Sequence, residues 1–188
     1  MDSGKFQNKY RIDSARASWW DYGNNASYFI TICTKNMRDY FGVIKDEKMK
    51  LSLIGEIANK EWLKGPSIRP DMNLELDEFV VMPNHFHAII CIGENEFNSN
   101  DIDDRDAMHG VCTLDDAKNK FGPQSKNLGS IVRGFKSAVT MAARKEKIEF
   151  GWQERFHDHI IRNEAEYERI KNYIINNPKN WNKDKFKN

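Results

Sequence analysis

Cysteine is scarce in this chain. Cys33, Cys91 and Cys112 are its three cysteines, an odd number with no CxxC among them. A disulfide framework is thereby disfavoured, and a reducing, cytoplasmic setting is expected. Cys33 and Cys91 lie in strand-like runs and read as core thiols. Long hydrophobic runs are missing as well, so no membrane-spanning helix is expected. No apolar h-region follows Met1-Asp2-Ser3-Gly4-Lys5, so no secretory signal is expected either. Net charge is nearly absent, at +1. What is present is a length of 188 residues, suited to one domain that buries its own core, with a soluble composition of 30% charged and 39% hydrophobic residues.

The small net charge conceals an asymmetry. Residues 118–188 carry 16 Lys+Arg against 8 Asp+Glu, whereas residues 1–117 carry 13 against 20. Much of the acid lies between Glu94 and Asp116. A basic half on a near-neutral protein suggests one face made for a polyanion, with an ordinary solvated surface as the alternative.

The most informative stretch is Val80-Val81-Met82-Pro83-Asn84-His85-Phe86-His87-Ala88-Ile89-Ile90-Cys91-Ile92. Its β-branched apolar runs predict two buried strands or one bent strand. Side chains alternate along a strand, so His85 and His87 share a face and Phe86 points the other way, into the core. Two imidazoles side by side make half of a metal site. They could instead be two packed histidines, but an imidazole without a partner is costly to bury in an apolar run. One pair cannot complete a site.

Residues 1–25 read as a polar arm with Arg11, Arg16, Trp19, Trp20 and Tyr22, packed on the domain or touching a nucleic-acid strand. The domain follows over residues 26–181. Tyr28–Thr34 predicts a first strand, and Phe41–Leu51 a hairpin about Asp46-Glu47. Ser52 caps a helix over Leu53–Leu63 with Ile54, Ile57, Ala58 and Trp62 on one face. Leu74–Phe79 alternates as a strand. Residues 93–126 lack a clear period and predict a long flexible insertion, with His109 a loop residue of no role. Leu128 to about Lys147 is the clearest helix, its stripe formed by Leu128, Ile131, Val132, Phe135, Val139 and Ala142. Arg133, Lys136, Ser137, Thr140 and Arg144 fall on a neighbouring face, which suits phosphate contacts or simple solvation.

Phe156–Ile161 predicts another strand with a second His-x-His, and a structural or supporting role is expected for His159. Asn163 and Glu166 form a capping-box pattern for a last helix over Glu164–Asn176, apolar at Tyr167, Ile170 and Ile174. Tyr173 lies at the edge of that side, and Asn177 follows one turn later. Alone the pair does not mark a site. Asn177 also precedes Pro178, which disfavours helical geometry there and could turn its side chain out from the helix end. Residues 182–188 read as a tail. The order of elements predicts an α+β sandwich with helices on one face of a mainly antiparallel sheet.

Taken together, several stretches resemble the HUH single-tyrosine transposases, in particular the REP-associated branch. They are Tyr28-Phe29-Ile30-Thr31, Met82-Pro83-Asn84-His85-Phe86-His87 and Gly129–Lys136. Trp152-Gln153, Arg155–Asn163 and Tyr173-Ile174-Ile175-Asn176-Asn177-Pro178 continue the match, which covers most of residues 10–181. The resemblance implies a ferredoxin-like HUH domain with a central antiparallel sheet and helices packed on it. It implies His85 and His87 as metal ligands, Tyr173 as nucleophile, and Asn177 (Asn176 being the alternative) as third ligand. It also implies a bound Mg²⁺ or Mn²⁺, a single-stranded or hairpin DNA substrate, and a monomer or homodimer. Arg133, Lys136, Ser137, Thr140 and Arg144, with Arg16, would hold the DNA backbone. A replication initiator or domesticated nickase would use the same site, and a non-catalytic DNA-binding module could keep the fold. A zinc hydrolase is disfavoured, because the chain is short and poor in further His and Asp ligands.

Overall fold

The computed structural model describes residues 19–99 and 125–187. Arg16, His109, Cys112 and most of the expected insertion lie outside the described residues.

β1 (Ala26–Cys33) is one of the two central strands of the sheet. Its alternation buries Tyr28, Ile30 and Ile32 completely on one face. It pairs antiparallel with β5 (His85–Ile92), bringing Thr31 opposite His87 and Cys33 opposite His85. On its other side it pairs antiparallel with β6 (His157–Ile161), bringing Phe29 opposite His159. β4 (Leu74–Val81) closes the far edge against β5, with a register shift between Leu76 and Phe79. The order across the sheet is β4-β5-β1-β6. β2 (Gly42–Lys45) and β3 (Lys48–Leu51) form a separate hairpin. Asp46 and Glu47 turn it with φ of 51° and 60°, the left-handed pair that a two-residue hairpin loop needs.

The predicted helices form where their caps place them. Ser52 Oγ accepts from Gly55 N at 3.2 Å and opens α1 (Leu53–Leu63), which is followed by the single turn α2 (Gly65–Ile68). Asn127 caps α3 (Leu128–Lys145), accepting from Ser130 N at 2.9 Å. Asn163 caps α4 (Glu164–Asn176), accepting from Glu166 N at 2.9 Å. Glu166 does not complete the expected capping box: its carboxylate takes Arg162 N and His159 Nε2 instead.

The architecture is α+β, as the order of elements predicts, but the helices cover both faces of the sheet. α1 and α3 pack on the face of Ile30, Phe86, Ala88 and Ile90, where Trp62 and Phe135 meet the Phe86 ring at 5.0 and 5.2 Å. Ala143, not Ala142, completes the buried stripe of α3. α4 packs on the opposite face, where Ile170 and Ile174 cover Ile89 beside Phe29 and Val80. β5 is buried on both faces along almost its whole length, so each face has a cover. The described part of 93–99 is tied to the domain: Asn98 Nδ2 donates to the carbonyls of Gly23 and Gly93, and Asn95 Nδ2 to that of Met72.

Candidate active site

His85 and His87 emerge on the α4 face of β5, their ring centroids 4.5 Å apart, while Phe86 enters the core beneath. Both are buried. Asn84 Nδ2 donates to the carbonyls of Met37 and Phe186, so its Oδ1 accepts from His85 Nδ1 at 2.9 Å, and His85 Nε2 holds the lone pair. His87 Nδ1 lies 2.9 Å from Thr31 Oγ1, its cross-strand neighbour. Its Nε2 lies 3.2 Å from the hydroxyl of Tyr173.

Tyr173 reaches His87 because α4 runs over this face with Ile170 and Ile174 turned to the sheet. Its ring meets Phe29 edge-on at 6.2 Å and remains 41% exposed. One turn on, Asn177 is the C-cap of α4 with φ −60° and ψ −45°. The restriction before Pro178 is thus overridden, and the side chain turns inward, where the residue is 1% exposed. Nδ2 donates to Asp184 Oδ2 at 3.1 Å. His85 Nε2 and Asn177 Oδ1 are both buried without a hydrogen-bond partner among the described residues.

The last residues, read from sequence as a tail, return over the histidines. The Phe186 ring lies 4.7 Å from that of His85, and Asn84 Nδ2 donates to the Phe186 carbonyl at 2.7 Å. Trp181 flanks His85 at 6.0 Å. Phe29, Thr31, His87, Tyr173, Asn177 and Asp184 line one open cleft of about 560 Å³, and Arg169, Lys183 and Lys185 add positive charge to it.

Burial dominates the protonation of this site. It pushes the pKa of His85 down from 6.5 to about 4, Lys185 acting the same way, with Asp184 and Asn177 opposing. Burial and then His85 push His87 well below 6.5. Both rings are therefore neutral at physiological pH, the form that can ligate a metal. Burial and Asp184 raise the Tyr173 phenol above 10.0. Among the described residues no group of three His, Cys, Asp or Glu side chains is placed to hold a metal ion. The available donor set is instead two imidazoles and an amide oxygen, and the two unpartnered atoms, His85 Nε2 and Asn177 Oδ1, fit a bound cation.

An uncharacterised protein of Haemophilus influenzae is 38% identical to this chain over 178 residues, covering 92% of this chain and 91% of that one. The chain belongs to the family of that Haemophilus protein. No family model matches it. Among solved structures, a REP-associated tyrosine transposase bound to a REP hairpin aligns with a TM-score of 0.57 at 20% identity, over 90% of this chain and 74% of that one. A likeness of this degree shows a shared fold, the antiparallel sheet with packed helices. A chain from Deinococcus radiodurans assigned as a transposase aligns over 89% of this chain and 97% of its own, at 15% identity and a TM-score of 0.41, too loosely to carry an argument.

The remaining predicted residues of this family member are not gathered with Tyr173. α3 lies across the sheet from α4, so Arg133, Lys136, Ser137, Thr140 and Arg144 face away from the cleft. Lys136 is engaged internally, its Nζ donating to the carbonyls of Gln153 and Arg155 at 2.7 and 2.9 Å. Thr140 Oγ1 donates to the Lys136 carbonyl. Arg133, Ser137 and Arg144 are exposed. His159 does border the cleft, held at 2.8 Å by Glu166 and without a hydrogen bond to His85 or His87. Sequence reasoning missed Thr31, Asp184 and Phe186. Thr31 lies in a strand that the sequence did mark, β1, but nothing local in the sequence sets it opposite His87.

Proposed function

We propose that this protein is a transposase-type, metal-dependent endonuclease and strand transferase acting on single-stranded or hairpin DNA. The observation that carries this reading is the convergence of the Tyr173 hydroxyl on His87 beside two unpartnered donor atoms, His85 Nε2 and Asn177 Oδ1. The shared fold and the motifs resembling HUH transposases support it.

Tyr173 Oη would attack the scissile phosphorus in line. The new bond is a 5′-phosphotyrosine and the bond broken is that to the 3′ oxygen, which leaves as a 3′-OH. The phenol gives up one proton and the leaving oxygen gains one. Phosphodiester energy is retained in the protein link, so a second 3′-OH can reverse the step without ATP. His85, His87 and Asn177 would hold a Mg²⁺ or Mn²⁺, and these donors suit Mn²⁺ at least as well as Mg²⁺. Such a cation supplies positive charge against the phosphate oxygens as charge develops on them. Tyr173 needs help to ionise, because its pKa is raised. Arg169, Lys183 and Lys185 would meet the phosphates at the cleft. Arg133, Ser137 and Arg144 offer a separate surface for DNA further from the scissile bond.

The test incubates purified protein with labelled single-stranded hairpin DNA and Mn²⁺, beside Tyr173→Phe. A protein–DNA adduct that survives SDS in wild type and vanishes in the variant is the expected result. Adduct in both would move the nucleophile to another tyrosine. Binding without adduct in either would favour a non-catalytic DNA-binding module. A strand-transfer assay then separates a transposase from a simple nickase.

A further inference from the structure

The Asn177 side chain is an acceptor on one end and a donor on the other, and only its surroundings decide which end faces the histidines. Here Nδ2 donates to Asp184 Oδ2 at 3.1 Å, while Oδ1 is buried without a partner among the described residues. An ionised carboxylate accepts and cannot donate, so it accommodates Nδ2 and rejects the flipped amide. Asp184 is itself fixed. Its Oδ1 accepts from Phe186 N at 2.8 Å, and its own N–H donates to the Trp181 carbonyl at 3.1 Å. Trp181 is in turn packed beside His85.

We propose that Asp184 is a positioning residue that fixes the Asn177 amide with Oδ1 as the third donor to the metal. This rests on the metal-site reading above and extends it to the C-terminal segment. Side chains that orient a ligand typically change metal affinity on the order of 10- to 100-fold when removed. The orienting role also has a signature of its own. An aspartate at position 177 has oxygen at both ends and needs no orienting.

The experiment measures Mn²⁺ affinity by calorimetry without DNA, in wild type, Asp184→Ala, Asn177→Asp and the double variant, with circular dichroism to check each fold. Asp184→Asn serves as the milder change if the alanine variant does not fold. Asp184→Ala should weaken Mn²⁺ binding by about 10-fold in the wild-type background. In the Asn177→Asp background the same change should cost little or nothing. Equal loss in both backgrounds would mean that Asp184 acts on the ion directly, and would overturn the orienting role. So would an Asp184→Ala protein that binds like wild type. A folded wild type that binds no Mn²⁺ would instead sink the metal-site reading itself.

Discussion

His87 turns Nε2 toward Tyr173, and its other ring nitrogen, Nδ1, lies 2.9 Å from Thr31 Oγ1, a hydroxyl that can donate or accept. In the tautomer protonated at Nδ1, Thr31 Oγ1 accepts and Nε2 is left with the lone pair. The Ile30 carbonyl acts on the same ring in the direction that favours an N–H. Thr31→Val keeps the shape and removes the hydroxyl. It should lower Mn²⁺ affinity by about 10-fold, as outer partners of metal-bound histidines do. It should also destabilise the fold by about 1–3 kcal/mol, because a buried N–H loses its partner. Thr31→Ser should restore both quantities in calorimetry and urea unfolding. A valine variant with unchanged affinity would show that the ring is oriented without the hydroxyl. At this scale the sequence was legible for His85 and His87, whose alternation with Phe86 is a local property of a strand. Thr31 was hidden, since its meeting with His87 depends on the register between β1 and β5, which the two strands settle only by pairing.

α4 is the element that brings Tyr173 and Asn177 to the histidine pair, and so assembles the candidate site. Three contacts set its place: the Asn163 cap, the Glu166 clasp on Arg162 and His159, and Lys171 Nζ at 3.2 Å from Asp77 Oδ1 on β4. Asn163→Ala should cost about 1 kcal/mol of stability, and Asn163→Asp should cost little. Glu166→Gln carries a pH signature. The Arg162 N–H and then His159 lower the Glu166 pKa from 4.5. Its stabilisation is therefore present above pH 4.5 and is lost as pH falls through the lower folded value. The glutamine variant should be less stable than wild type at pH 7, and the two should converge in strongly acidic urea titrations. A difference that persists in acid would assign the effect to packing. Helical period and capping residues made α1, α3 and α4 legible almost to the residue. They could not say that α4 covers the opposite face of the sheet, since a period marks the apolar side of a helix but not the surface that receives it.

At the scale of the whole molecule, the sheet keeps two groups of described basic side chains apart. Arg169, Lys183 and Lys185 line the cleft, whereas Arg133 and Arg144 stand on the α3 side. The excess of basic residues after position 117 was visible in the sequence, but its partition was not, because helical spacing groups residues on one helix and is silent about the layer to which it belongs. Asp184 was illegible for a related reason: it has no period, and its role exists only when the chain returns over His85. The partition makes a prediction about DNA length. Binding of a single strand loses affinity with salt at a slope of roughly 0.7 per phosphate neutralised. Lys185→Ala should reduce that slope by about 0.7 for a short oligonucleotide that fills only the cleft. Arg144→Ala should leave the slope unchanged for the same oligonucleotide and reduce it only for a longer hairpin that extends beyond the cleft. Fluorescence anisotropy across a salt series reads both. If Arg144→Ala lowers the slope with the short strand while Lys185→Ala does not, the DNA lies along α3, and the Tyr173 cleft is not where it binds.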